Sequence, residues 1–203
     1  MRSLLLAALL SCAITAHGAL DLTPFPTEFE GEGVKYTELR FKDDSRRVTF
    51  TIPQNWTWRG SSSQLRLMPP ATFTGADATI LTAPLAKSQA LGEKTIEVLR
   101  QQFLADLPAG SQAVKMLSEG SPLLLSGNIP TWEFTATYQV IGQVYVRSTL
   151  FTNLSEMQLR CQLTALKKDF DPLHRQFISS LVSWQWQGPA AAPATAGPNA
   201  VSR

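Results

Sequence analysis

The sequence predicts an α+β domain in which an antiparallel sheet is covered by helices. Three observations predict it. Apolar and polar residues alternate through much of the chain, two segments carry apolar residues at helical spacing, and three long alternating segments follow one another closely enough to form a meander. Each apolar helix stripe needs an apolar face to bury against, and the alternating segments supply one.

The amino end decides the compartment. Met1-Arg2 supplies a positive start, Ser3 to Leu10 is almost wholly apolar, and Ala16-His17-Gly18 places small residues where a signal peptidase reads before Ala19. Residues 1–18 are therefore expected to be a signal peptide, and the mature chain periplasmic or secreted. The apolar run is far shorter than the ~20 residues that cross a bilayer, so no membrane span is expected. Leu9-Leu10-Ser11-Cys12 also resembles the lipobox of bacterial lipoproteins, which would make Cys12 a lipid anchor. The short stretch before Cys12 and the poor fit of Leu10 favour soluble export instead.

Residues 19–33 carry Pro24, Pro26, Gly31 and Gly33 around Phe25 and Phe29, which suggests an extended lead-in whose aromatics rest on the core. Tyr36 to Phe41 and Arg47 to Ile52 flank the polar turn Lys42-Asp43-Asp44-Ser45, and Val48, Phe50 and Ile52 alternate with Thr49 and Thr51 as in a half-buried hairpin. Pro53 ends the second strand. Gln64 to Met68 and Ala78 to Ala83 read as short strands kept apart by Pro69, Pro70 and Gly75.

Gly92-Glu93 then announces a helix, in which Ile96, Leu99, Phe103 and Leu107 gather into one stripe before Pro108 and Gly110 stop it. Strands follow at Ala113 to Leu117, Leu123 to Leu125, Thr131 to Ile141, Gln143 to Thr152 and Met157 to Leu166. Within them Trp132, Phe134, Ala136, Tyr138 and Val140 share one face against Glu133, Thr135, Thr137 and Gln139. Leu159, Cys161, Leu163 and Ala165 likewise share a face, which points Cys161 inward. In the last helix Asp171 is expected to cap the free amides and Pro172 to take the first helical position, with Leu173, Phe177 and Leu181 on the buried side. From Gly188 the chain reads GPAAAPATAGPNAVSR, too rich in Pro, Ala and Gly to offset the entropy of ordering. The domain is thus expected over 34–187, with 188–203 a disordered tail.

Two segments carry a resemblance. Val48 to Trp56, VTFTIPQNW, resembles the strand, proline and tryptophan signature of PsbP-like domains, and Leu159 to Trp184, LRCQLTALKKDFDPLHRQFISSLVSW, resembles the strand and closing helix that end them. The likeness spans Tyr36 to Trp186 and implies an αβα sandwich on an antiparallel sheet. That family includes extrinsic subunits of photosystem II, a factor that binds the small GTPase Ran, and exported bacterial proteins of unknown role. The resemblance implies protein interaction rather than catalysis, although a shared fold is weak evidence of a shared role and no functional residue carries over.

The chemistry of the chain points the same way. Eighteen basic residues stand against 16 acidic ones, too even a balance for nucleic acid or an anionic membrane. Once residues 1–18 are removed, Cys161 and His174 are each the last of their kind, so neither a disulfide nor a multi-histidine zinc site can form. Cys161 is expected in the core, where its thiolate is suppressed, and His174 is expected to be solvated in the first turn of a helix, so the two are not paired as nucleophile and base. Asp169 and Asp171 read as a helix start, and Glu28, Glu30, Glu32, Asp43 and Asp44 lack the spacing of a calcium loop. No catalytic, cofactor or metal residue is nominated.

Tryptophans offer the contacts. Trp56-Thr57-Trp58-Arg59 and Trp184-Gln185-Trp186 each set two indoles one residue apart, and Trp56 and Trp184 are expected to close the core, leaving Trp58 and Trp186 partly exposed. Trp58, Arg59 and Trp186 are therefore the residues expected to touch a partner or ligand, since Trp and Arg are enriched among residues that dominate binding. The expected function is a non-catalytic exported interaction or accessory module that docks onto an envelope or secreted protein. The alternative is a periplasmic carrier of a small apolar or carbohydrate ligand.

Overall fold

Strands form where the alternation predicts them, and pairing adds others. The computed structural model describes residues 20–43, 46–85, 87, 89–154 and 157–187; the segments expected to be signal peptide and tail, and Asp44 and Ser45 of the predicted turn, lie outside the described residues. In chain order the elements are β1 (Asp21–Gly31), β2 (Val34–Asp43), β3 (Arg46–Thr51), β4 (Thr57–Ser61), β5 (Gln64–Met68), β6 (Asp77–Pro84), α1 (Glu93–Ala105), β7 (Gln112–Gly120), β8 (Leu124–Leu125), β9 (Ile129–Pro130), β10 (Trp132–Val140), β11 (Gln143–Asn153), β12 (Met157–Leu166), α2 (Lys167–Leu181) and β13 (Gln185–Gln187). They build a four-stranded sheet β1-β2-β3-β13, a seven-stranded sheet β4-β5-β6-β12-β11-β10-β7 and the small pair β8-β9, with every pairing antiparallel.

Register assigns the two faces of the large sheet. Cys161 lies opposite Ile80 on one side and Leu150 on the other, so Leu65, Leu67, Ala78, Ile80, Leu150, Leu159, Cys161 and Leu163 line one face. They are buried in one cluster with Leu39, Phe41, Val48 and Phe50 of the small sheet and with Phe170, Leu173, Phe177 and Leu181 of α2. The opposite face carries Phe134, Ala136 and Phe151, and Leu99 and Phe103 of α1 pack there. The result is an α+β sandwich, but one face is shared between α2 and a second sheet. Geometry explains the sharing: seven strands span ~30 Å, whereas a helix with its side chains is only ~10 Å across.

The ends of the domain differ from the sequence reading. The lead-in is a strand, with Leu20 and Leu22 fully buried. Its prolines are tolerated because β1 is an edge strand, where a missing N–H costs no ladder bond. Phe25 and Phe29 do not rest on the core; each is about half exposed, because alternation along β1 puts them on the face opposite the buried Leu22. At the other end α2 begins at Lys167, without a side-chain cap, and Pro172 lies inside it. Asp171 is therefore not the cap. The earlier start buries Phe170, a gain of ~1.5–3 kcal/mol that rivals the ~3 kcal/mol cost of an interior proline.

Helix α1 is anchored at its carboxyl end. It has no basic residue in its last turn. Arg147 from β11 instead donates to the Asp106 carbonyl and to the Thr164 hydroxyl, while Arg160 from β12 lies 3.5 Å from the Asp106 carboxylate. Two guanidiniums thus supply the positive charge that a helix carboxyl terminus favours.

Candidate functional site

The most exposed aromatic surface follows from an unequal pairing of strands. β1 and β2 run together as far as Gly31 opposite Val34, and Glu32 and Gly33, both with positive φ, close them in the tight primed turn that suits a twisted hairpin. β3 keeps pace with β2 only to Thr51 opposite Glu38, after which Ile52 donates one last bond to the Thr37 carbonyl, at 3.2 Å. Pro53 has no N–H to continue the ladder, and the chain turns there, Trp56 bonding back to the Pro53 carbonyl. Val34, Lys35 and Tyr36 therefore belong to a two-stranded arm.

On the outer face of β1 and β2, Phe29 stands opposite Tyr36 on this arm and Thr27 and Phe25 stand opposite Glu38 and Arg40 at its root, since Leu39 and Phe41 take the inward positions. Phe29 stacks on Tyr36 with ring centroids 5.3 Å apart, and the Lys42 ammonium sits 5.0 Å from the Phe25 ring. Phe25 is 49% exposed and Phe29 47%. The stack steadies a two-stranded ribbon that would be marginal alone. At the root, the Thr23 N–H bonds the Asp21 carboxylate and, with Lys42 nearby, holds it below the usual carboxylate range.

Beside the arm runs a groove of about 400 Å³, lined by Lys35, Tyr36, Pro53, Gln54, Asn55 and Trp56 among others. Its floor is fixed to α2. The Trp56 indole donates to Gln176 at 3.1 Å and lies nearly parallel to Phe177. Glu28, Glu30, Glu32 and Lys35 are exposed on the arm.

The nominated tryptophans sit differently from one another. Trp58 is opposite Leu67 and half-buried against the core, while Arg59 is exposed opposite Arg66. β4 packs against β1, with the Leu22 N–H bonding the Ser62 carbonyl at 3.0 Å, so Trp58 and Arg59 border the root of the arm. Trp186 lies on β13, at the far edge of the four-stranded sheet from β1, half-buried beside the fully buried Trp184. The structure does not bring Trp186 to the arm.

His174 is only partly exposed and lies beyond the first turn of α2, whereas the sequence reading has it solvated in that turn. Its Nε2 lies 2.6 Å from Glu133 Oε1, and the Ser148 hydroxyl donates to the same oxygen. Glu133 is 8% exposed. The early start of α2 turns His174 toward β10 and stacks it on Phe170, 5.0 Å away. This cluster fastens helix to sheet; the hydroxyl of Ser148 is engaged with a carboxylate and is not presented as a nucleophile. Sequence reasoning missed it because Glu133 falls on the polar side of an alternating strand. Cys161 is fully buried, and burial alone pushes its thiol far up. Among the described residues no group of three or more His, Cys, Asp or Glu is placed to hold a metal ion, and no helix is long and apolar enough to cross a membrane.

No family model and no curated protein matches the chain. Solved structures do. The cyanobacterial PsbP of Synechocystis sp. PCC 6803, CyanoP, matches with a TM-score of 0.51 at 13% identity, over 78% of this chain and 97% of that one. The fold is PsbP-like. LpqN of Mycobacterium tuberculosis, a protein involved in cell envelope biogenesis, matches with a TM-score of 0.50 at 14% identity, over 82% of this chain and 92% of LpqN. At such identities the PsbP-like likeness concerns architecture alone.

Proposed function

We propose that this chain is an exported, non-catalytic accessory module that docks onto a protein of the cell envelope through its β1–β2 arm. The observation that carries the reading is the arm itself, which holds Phe25 and Phe29 half exposed beside Tyr36 on the outer face of a sheet. Aromatic rings on a rigid ribbon are the groups that dominate protein interfaces. Trp58 and Arg59 extend the surface at the root of the arm, with Arg59 offering the more accessible group. Trp186 would make a separate, lesser contact. Export is supported by the signal-peptide pattern of residues 1–18, and an envelope setting by the likeness to LpqN. The test is affinity capture by the 19–203 chain from its own envelope fraction after crosslinking. One protein should be recovered consistently by the native chain and lost with Phe25→Ala/Phe29→Ala, while the variant keeps its unfolding midpoint. Equal recovery by both chains would remove the arm from the interface.

A second reading draws on the groove, whose volume suits a small ligand. Native mass spectrometry of chain purified from its source would then show an added mass, and the carrier role would replace docking.

A further inference from the structure

β2 outlasts its neighbour, and among the described residues nothing pairs with the backbone of Lys35 on that side. In an antiparallel ladder the N–H and C=O of alternate residues point to the same side. Thr37 faces β3, because its carbonyl accepts from Ile52, so the N–H and C=O of Lys35 also face that side. There β3 has ended: Pro53 carries no donor, and the chain swings away through Asn55, whose φ is +64°. What borders Lys35 is the groove of about 400 Å³. Along this edge, roughly 10 Å from Val34 to Thr37, Lys35 turns both its N–H and its C=O to the groove.

We propose that this groove receives an extended, basic segment of the partner protein, added as one more strand to the free edge of β2. The inference rests on the docking function above and names the place and the chemistry. Backbone groups of Lys35 supply the hydrogen bonds, in the manner of strand addition at other sheet edges. Pro53 and Trp56, both buried, close the floor of the groove, and Gln54 and Asn55 are exposed at its side. Charge selects the sign of the partner: over residues 28–37, the stretch beside the groove, Glu28, Glu30 and Glu32 are exposed against the single ammonium of Lys35, three carboxylates to one cation. An acidic strand would be repelled.

The test uses the ¹⁵N-labelled 19–203 chain and three synthetic seven-residue peptides: alternating lysine and valine, the same with glutamate for lysine, and the basic one with a central proline. The basic peptide should shift amides confined to 33–37 and 52–56 and slow hydrogen exchange at the Lys35 amide at least tenfold. The acidic and proline peptides should bind at least tenfold more weakly. Lys35→Pro removes the N–H that faces the groove and spares the β1–β2 ladder, whose bonds lie on the other side, so it should weaken binding by about tenfold. Lys35→Ala should not. If Lys35→Pro fails to fold, Glu28→Lys/Glu30→Lys provides the independent check, with a comparable loss for the basic peptide. Shifts elsewhere on the chain, equal binding of the acidic peptide, or no binding of the basic peptide at millimolar concentration would each overturn the proposal. The docking function would survive any of these if Phe25→Ala/Phe29→Ala still loses the captured protein.

Discussion

Gly60 of β4 lies tight against β1 of the other sheet, and replacing it with alanine tests that packing directly. A Cβ at position 60 would lie 2.3 Å from Pro24 Cδ and 2.5 Å from the Leu22 carbonyl oxygen. Ordinary carbon contacts are ~3.5–4.0 Å, so β1 would have to withdraw from β4 by about 1 Å. Neither obstacle can swing aside, since one is backbone and the other a ring fixed to it. Withdrawal also loosens Leu22, which is fully buried on the same strand. Overpacking of this kind costs about 1–3 kcal/mol, and the rigidity of both neighbours places Gly60→Ala toward the upper end. Gly92→Ala is the control, because nothing lies within 4 Å of its Cβ and its φ of −99° suits any residue. That change should move stability by no more than ~1 kcal/mol either way, since the entropy removed from the unfolded chain opposes the poorer fit of alanine at the N-cap of α1. Urea unfolding reads both, with the midpoint moving and the slope constant. A Gly60→Ala chain as stable as the Gly92→Ala chain would refute the close crossing of β1 over β4.

Three further changes probe the helix and the core. Pro172→Ala should stabilise the chain by up to ~3 kcal/mol in the same urea assay, because the helix starts at Lys167 and the proline interrupts it; a neutral or destabilising result would return the start to Asp171. His174→Ala should cost about 1–3 kcal/mol by leaving the buried Glu133 carboxylate with one partner fewer, and His174→Gln should cost less. The Cys161 thiol should react with iodoacetamide at least ~10³-fold more slowly in the native 19–203 chain than in denaturing urea, since burial raises it and only unfolding exposes it; rapid native labelling would place it at the surface.

Local pattern made much of this fold legible. The bounds of β5 and β12 agree with the alternation at Gln64 to Met68 and Met157 to Leu166, and Leu99 and Phe103 lie buried on the stripe read for α1. Trp56 and Trp184 are buried and Trp58 and Trp186 half-buried, in line with the reading that the first member of each pair closes the core. What escaped reading depends on partners distant in the chain. The division into two sheets is set by which strands meet, with β13 joining β3 and β6 joining β12 across long stretches of chain. Pro172 looked like a helix start because Phe170 has no claim on the core until α2 is docked. For the same reason Glu133 looked solvent-facing until α2 brought His174 over it. The exposure of the arm's aromatics follows from alternation, which sets Phe25 and Phe29 on the face opposite the buried Leu22.

The account stands or falls on whether the arm is the docking surface. A photo-crosslinking benzophenone side chain in place of Phe29, compared with one in place of Val98, which is 66% exposed on α1, measures this in the intact envelope. Position 29 should yield a single discrete adduct and position 98 none; adducts from position 98 alone, or the same adduct from both, would contradict it.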